Sequence, residues 1–257
     1  MKVVILCGGR GTRMGSDTTT IPKPMVDIGG KPILWHIMKI FSHYGFNEFV
    51  LCLGYRGYLI KEYFSHYFLH MSDVTIDMKN NKTQIHSTAS EPWKITLVDT
   101  GVKTFTGGRI RRIRKYVEGE PFLLTYGDGL ADINVKKLIK LHKDNKRLAT
   151  VTGYQTAGRF GVLEIGNKNN VTSFLEKPIG EGSWINAGFF VLEPEIFDYI
   201  DESDDCVWEN KPLGKIAREQ QLSVYKHTGF WKCMDTIREK DEMEALWQGS
   251  NPPWKIW

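Results

Sequence analysis

Cysteine is scarce in this chain, and what there is does not pair. Cys7, Cys52, Cys206 and Cys233 are scattered and form no C-x-x-C unit, which argues against both a zinc site and a disulfide framework, so free thiols are expected. Long apolar runs are missing too, since none approaches the roughly 20 residues of a membrane span. Charge of one sign is not in excess: the formal net charge of +4 is too small to single out a polyanionic partner. There is no internal repeat and no low-complexity linker to divide the chain. Met1-Lys2 leads straight into an apolar run, which leaves no room for a cleavable leader, so a cytoplasmic protein without membrane attachment is expected. What remains is ordinary globular usage, 41% hydrophobic and 25% charged over 257 residues. That is enough for one large α/β domain with a full core.

The informative stretch is 3–25, VVILCGGRGTRMGSDTTTIPKPM. Val3 to Cys7 is short and wholly apolar, as a buried parallel strand is, and it stops at Gly8, Gly9 and Gly11. Glycines at a strand end let the backbone approach a ligand and present bare N–H groups to a phosphate chain. Arg10, Arg13 and Lys23 add positive charge, and the prolines on both sides of Lys23 fix its backbone. The stretch reads as a triphosphate site. Two commoner phosphate loops fail against it. The dinucleotide fingerprint needs a third glycine where Met14 stands, and the Walker loop needs Ser or Thr after Gly30-Lys31, where Pro32 stands.

Helical spacing at Ile33, Leu34, Ile37, Met38 and Phe41, followed by a strand over 48–53, makes a strand–helix–strand unit. Such a unit predicts parallel pairing with a right-handed crossover, and places the glycine loop at the carboxyl edge of the sheet, where α/β sheets bind ligands. Residues 57–70 read as a helix. Residues 74–98, including the run Ile95 to Val98, read as a local hairpin or irregular excursion. Further on, helices are expected over 108–116, 134–145, 194–201, 211–221 and 236–247, and strands over 122–126, 148–153, 161–166, 171–176 and 187–192. The strand at 122–126 runs into Gly127-Asp128-Gly129. A carboxylate there could hold Mg²⁺ or merely cap a turn, and Asp235 could be a second ligand or a helix N-cap.

The pattern L-x-G-G-x-G-T-R with P-K-P-M about ten residues on, then G-D-G, E-K-P (Glu176 to Pro178) and N-A-G (Asn186 to Gly188), in this order, resembles the sugar-1-phosphate nucleotidylyltransferases. The match runs over nearly the whole chain. Segments EPWKITLVDTG, TFTGGRIRRI, YGDGLADI, FWKCMDT and PWKIW resemble the branch that joins CTP to glucose 1-phosphate. The resemblance implies a Rossmann-like, GT-A-like α/β fold: a mixed, mainly parallel sheet flanked by helices, with a small β excursion. It implies a single domain over 1–257, with nucleotide bound mainly by about 1–130 and sugar phosphate by about 131–257.

It further implies that Arg13 and Lys23 act on the reacting phosphates. Leu6, Cys7, Gly8, Gly9, Arg10, Gly11, Thr12, Thr104, Gly108, Arg109 and Gly127 would meet the nucleotide. Gly161, Glu176, Lys177, Asn186 and Gly188 would meet the sugar phosphate, and Asp128 and Asp235 would bind Mg²⁺. The partners implied are CTP and glucose 1-phosphate, the product feeding deoxysugar and surface polysaccharide (O-antigen) synthesis, and a homo-oligomer, a hexamer being one form. Other features carry less. Arg109, Arg111, Arg112 and Arg114 with Lys115 are interleaved with apolar residues at helical spacing, so most of them are expected on a solvated face and nucleic acid is not expected. His66 and His70 lack the glutamate of a metal helix and read as surface residues. The aromatic run 58–71 reads equally as core or as a subunit contact. Rival readings are a thymidylyl- or uridylyltransferase, a non-catalytic nucleotide-sugar-binding subunit, and, weakest, an oxidoreductase.

Overall fold

The computed structural model describes residues 1–9, 20–156, 162–165, 170–175 and 183–257. In chain order the strands are β1 (Val3–Cys7), β2 (Asp27–Ile28), β3 (Lys31–Pro32), β4 (Glu48–Leu53), β5 (Ser72–Asp77), β6 (Lys82–Thr88), β7 (Lys94–Asp99), β8 (Phe122–Tyr126), β9 (Gly129–Ala131), β10 (Ala149–Gln155), β11 (Val162–Ile165), β12 (Val171–Leu175), β13 (Trp184–Leu192), β14 (Leu222–His227) and β15 (Trp231–Cys233). The helices are α1 (Ile33–His43), α2 (Gly57–His70), α3 (Thr106–Arg112), α4 (Arg114–Val117), α5 (Val135–Asn145), α6 (Lys211–Arg218) and α7 (Ile237–Gln248).

Seven strands form one sheet in the order β14-β10-β13-β8-β1-β4-β7. β1 lies between β4 and β8, parallel to both, with Val3 opposite Phe49 and Leu123. β13 alone runs against its neighbours β8 and β10. The expected mixed, mainly parallel sheet is thus present, and all five residues of β1 are buried, as a central strand covered on both faces requires. Val3, Ile5 and Cys7 pack on one side with α1, Met243 of α7 and Trp254. Val4 and Leu6 pack on the other with Ile110, Phe122 and Trp208.

Three expectations are corrected. The excursion at 74–98 is a hairpin only as far as β6, because β7 joins the main sheet as a parallel edge beside β4. The single helix over 108–116 is two short helices, since the chain turns at Ile113, and the helix near 194–201 is a 3-10 turn, Pro194–Tyr199. β14, beside β10 at the other edge, has no counterpart in the sequence reading. The aromatic run on α2 divides: Ile60 and Tyr67 are core, while Tyr58, Phe68 and Leu69 are exposed, and His66 and His70 are exposed as expected. Among the described residues no helix is long and apolar enough to cross a membrane.

Candidate active site

The strands β1, β4, β7 and β8 end together at one edge of the sheet, and a cavity of about 640 Å³ opens there. Its floor is Leu6, Cys7, Gly8 and Gly9 at the end of β1, with Tyr126, Gly127 and Asp128 after β8. One wall is the segment from Val102 to Thr106, and Asp205 reaches it from a later loop. The Phe105 and Gly107 N–H groups donate to the carbonyls of Asp204 and Cys206, which fixes this wall against that loop. Gly108 is buried behind the wall, its N–H donating to the Cys206 carbonyl.

Lys23 sits in a 3-10 turn between Pro22 and Pro24, held by the Met25 N–H donating to the Pro22 carbonyl at 2.8 Å. Its Nζ donates to Asp128 Oδ2 at 2.6 Å and to Asp235 Oδ1 at 2.6 Å. Two carboxylates thus converge on one buried ammonium. Burial works to lower the Lys23 pKa, and Asp128 with Asp235 outweighs it, so the ammonium is held above its ordinary value.

A ribbon explains how two aspartates far apart in sequence meet. β9 pairs antiparallel with β15, Gly129 opposite Cys233, and the Met234 N–H donates to the Asp128 carbonyl at 2.9 Å. Asp235 is not the cap of α7. Thr236 is, in a reciprocal capping box with Glu239, which leaves the Asp235 carboxylate to turn toward Lys23. Asp132, the other carboxylate near the G-D-G turn, is engaged elsewhere, accepting from the Phe230 N–H at 2.7 Å and lying 3.0 Å from His227 Nε2.

Asp128, Asp235 and Cys233 each place a ligand atom within 4.8 Å of the others. Burial, and then Asp128, push the Cys233 thiol well up, so at neutral pH it is a neutral neighbour and the two carboxylates carry the charge.

Arg109 lines the cavity too, beside the end of β1. It is 4% exposed, and its guanidinium donates to the carbonyls of Gly8 at 3.0 Å and Leu53 at 3.0 Å and to Thr100 Oγ1 at 2.8 Å. It braces three strand ends at the cavity. Gly8 is needed for this: a Cβ there would lie 2.0 Å from Arg109 Cζ. Arg111 and Arg112 pair with Asp204 at the surface, as the solvated-face reading expected.

Arg10, Gly11, Thr12, Arg13, Gly161, Glu176 and Lys177 lie outside the described residues. Asn186 and Gly188 are described and do not themselves line the cavity, but Asn186 Nδ2 donates to the hydroxyl of Tyr126, which does, at 3.3 Å. Tyr126, Asp205 and Glu209, which accepts from the Tyr126 hydroxyl, were not legible as site residues. The only available signal was an aromatic residue directly before G-D-G.

A parallel-sheet edge with a glycine-ended first strand, a cavity over it and a lysine joined to two aspartates is the arrangement of a nucleotide-handling transferase. The chain matches the family described as nucleotidyl transferase over residues 2–232, and belongs to it. Among curated relatives, it is 52% identical over the full length of both chains to the glucose-1-phosphate cytidylyltransferase of Salmonella typhimurium. It is 47% identical, again over both full lengths, to the probable glucose-1-phosphate cytidylyltransferase of Bacillus subtilis. Among solved structures, HddC from Yersinia pseudotuberculosis superposes with a TM-score of 0.67 at 26% identity, covering 95% of this chain and 98% of that one.

Proposed function

We propose that this chain is an enzyme that transfers the cytidylyl group of CTP to glucose 1-phosphate. The observation that carries the reading is the 52% identity, end to end, with the Salmonella enzyme. Lys23 and Asp128 lining a cavity large enough for a nucleotide, with Asp235 joined to the same lysine, support it. A phosphate oxygen of the sugar forms a bond to the α-phosphorus, the bond from that phosphorus to the bridging oxygen breaks, and CDP-glucose and pyrophosphate result. The attacking oxygen is already anionic, so no general base is required. The task is to bring two anions together in line and to answer the charge that builds up.

Lys23 is a described cation that lines the cavity beside the glycines ending β1. Its charge counts most as the transferring phosphorus gains negative oxygen character. Gly8 and Gly9 offer close backbone approach, with Arg109 holding their loop in place. The carboxylates of Asp128 and Asp235 each have a second oxygen besides the one that meets Lys23, and two oxygen donors with ligand atoms within 4.8 Å of each other suit a hard divalent cation such as Mg²⁺. Asp128 and Asp235 would hold it, and it would supply neutralisation of triphosphate charge. On the sugar side, Asn186 offers an amide to a hydroxyl. The exposed apolar side chains of α2, with Ile76, Met78 and Ile85 on the β5–β6 hairpin, support the further reading that copies of the chain associate.

The test is pyrophosphate release from each nucleoside triphosphate paired with each common sugar 1-phosphate. The highest kcat/KM is expected for CTP with glucose 1-phosphate. A clear preference for dTTP or UTP would overturn the base assignment and leave the fold and family intact.

A further inference from the structure

Four side chains form an unbroken line of hydrogen bonds from Thr106 on the cavity wall to Asn186 on β13. Thr106 opens α3 on the cavity wall; its Oγ1 donates to Glu209 Oε2 at 2.6 Å and accepts from the Trp208 N–H at 2.9 Å. The other Glu209 oxygen accepts from the Tyr126 hydroxyl, and that hydroxyl accepts in turn from Asn186 Nδ2 at 3.3 Å. Asn186 Oδ1 accepts from the Gly188 N–H at 2.8 Å. The directions are forced at the centre: a carboxylate only accepts, so the tyrosine must donate to it and has only lone pairs left for the asparagine.

The sheet gives the line a purpose. β8 and β13 are paired only from Phe122 to Leu124, with Leu124 opposite Phe190. Beyond that point the β8 ladder no longer holds β13, and Asn186 lies in the part that has parted from β8. Tyr126 fills the gap. Its ring lies against Gly188, where a Cβ would be 2.5 Å from Tyr126 Cδ2, and Gly188 has φ +84°. Asn186 stays paired with Gly153 of β10 on its other side, so ring contact and hydroxyl together hold the asparagine side chain on the side where pairing with β8 has ended.

We infer that Tyr126 and Glu209 are positioning residues, which hold Asn186 for the sugar phosphate and tie its position to Thr106 at the nucleotide end. The inference rests on the reading that Asn186 meets the sugar. A substitution at the nucleotide end should therefore be felt by the sugar phosphate, through a path that Tyr126→Phe cuts.

The experiment uses the full chain, with Tyr126→Phe, Glu209→Gln, Thr106→Val and the double variant Tyr126→Phe/Thr106→Val. KM for each substrate, kcat, and calorimetric binding of CTP and of glucose 1-phosphate are measured, with thermal midpoints beside them. Tyr126→Phe is expected to raise the KM or Kd for glucose 1-phosphate about three- to tenfold, the effect of losing one ordering hydrogen bond, with CTP binding within about twofold of wild type. Glu209→Gln should act in the same direction. Thr106→Val should also weaken the sugar phosphate, and the double variant should be no worse than Tyr126→Phe alone, because both cut one line. A Tyr126→Phe protein with wild-type constants for both substrates and a lowered midpoint would reduce the line to a structural tie and overturn the inference. So would multiplicative losses in the double variant. If wild type prefers another nucleotide or sugar phosphate, the proposed activity fails, and the same comparison on the preferred pair still decides the inference.

Discussion

Lys23, Asp128 and Asp235 make a cluster in which one cation answers two carboxylates at 2.6 Å each. Replacing either aspartate with Asn keeps its size and removes one charge, leaving Lys23 its other partner, so the fold should persist. The Mg²⁺ concentration for half-maximal turnover is expected to rise about tenfold or more in Asp128→Asn and in Asp235→Asn. The double variant should cost much less than the product of the two, as residues acting on one ion do. Turnover against Mg²⁺ concentration reads this, and an Asp235→Asn enzyme with wild-type response would remove that residue from the metal site. Lys23 and Asp128 could be picked out from sequence because each is framed locally, by prolines in one case and by a strand end with glycines in the other. Asp235 could not be told from a helix cap, since its partner is set by the pairing of β9 with β15, a long-range contact. Tyr126 and Glu209 were invisible for a similar reason: each is an ordinary residue whose meaning lies in which distant side chain it meets.

α1 carries His36 into the core, where it is fully buried. His36 Nε2 lies 2.8 Å from the Ile28 carbonyl, and the Trp254 Nε1–H points at His36 Nδ1 at 3.4 Å. An accepting Nδ1 leaves the proton on Nε2, a neutral ring with both nitrogens used. Burial lowers its pKa to about 4 despite the Ile28 carbonyl. The unfolded chain titrates near 6.5, so from there down to about pH 4 the unfolded state takes up a proton that the folded state refuses. Stability therefore falls with pH across this window, His36 contributing a loss of roughly 3 kcal/mol by pH 4. Urea unfolding of wild type and His36→Gln between pH 7 and 4 checks it: the wild-type curve should drop more steeply, and parallel curves would show that His36 is not the group responsible. Elements like α1 were plain in the sequence because a one-sided apolar stripe is a local pattern. The edge strands were not: the short run Ile95 to Val98 of β7 follows a hairpin and reads as part of it, and β14 alternates without the continuous apolar run that marks β1. Their membership in the sheet comes from pairing with β4 and β10.

Across the whole molecule, one sheet edge gathers the ends of β1, β4, β7 and β8, and the β9–β15 ribbon brings the last part of the chain back to the first. That arrangement brings Asp235, from near the end of the chain, to Lys23 and Asp128, beside the start of the chain that we propose binds the triphosphate. The direct measurement is a competition: CTP, UTP, dTTP, GTP and ATP at equal concentration, with glucose 1-phosphate and Mg²⁺, and the nucleotide sugars identified by mass and by NMR of the anomeric proton. CDP-glucose should dominate, with the α configuration of the sugar phosphate retained because the bond from C1 to oxygen is never broken. A mixture led by another nucleotide, or an inverted anomeric centre, would contradict attack by glucose 1-phosphate on CTP at this site.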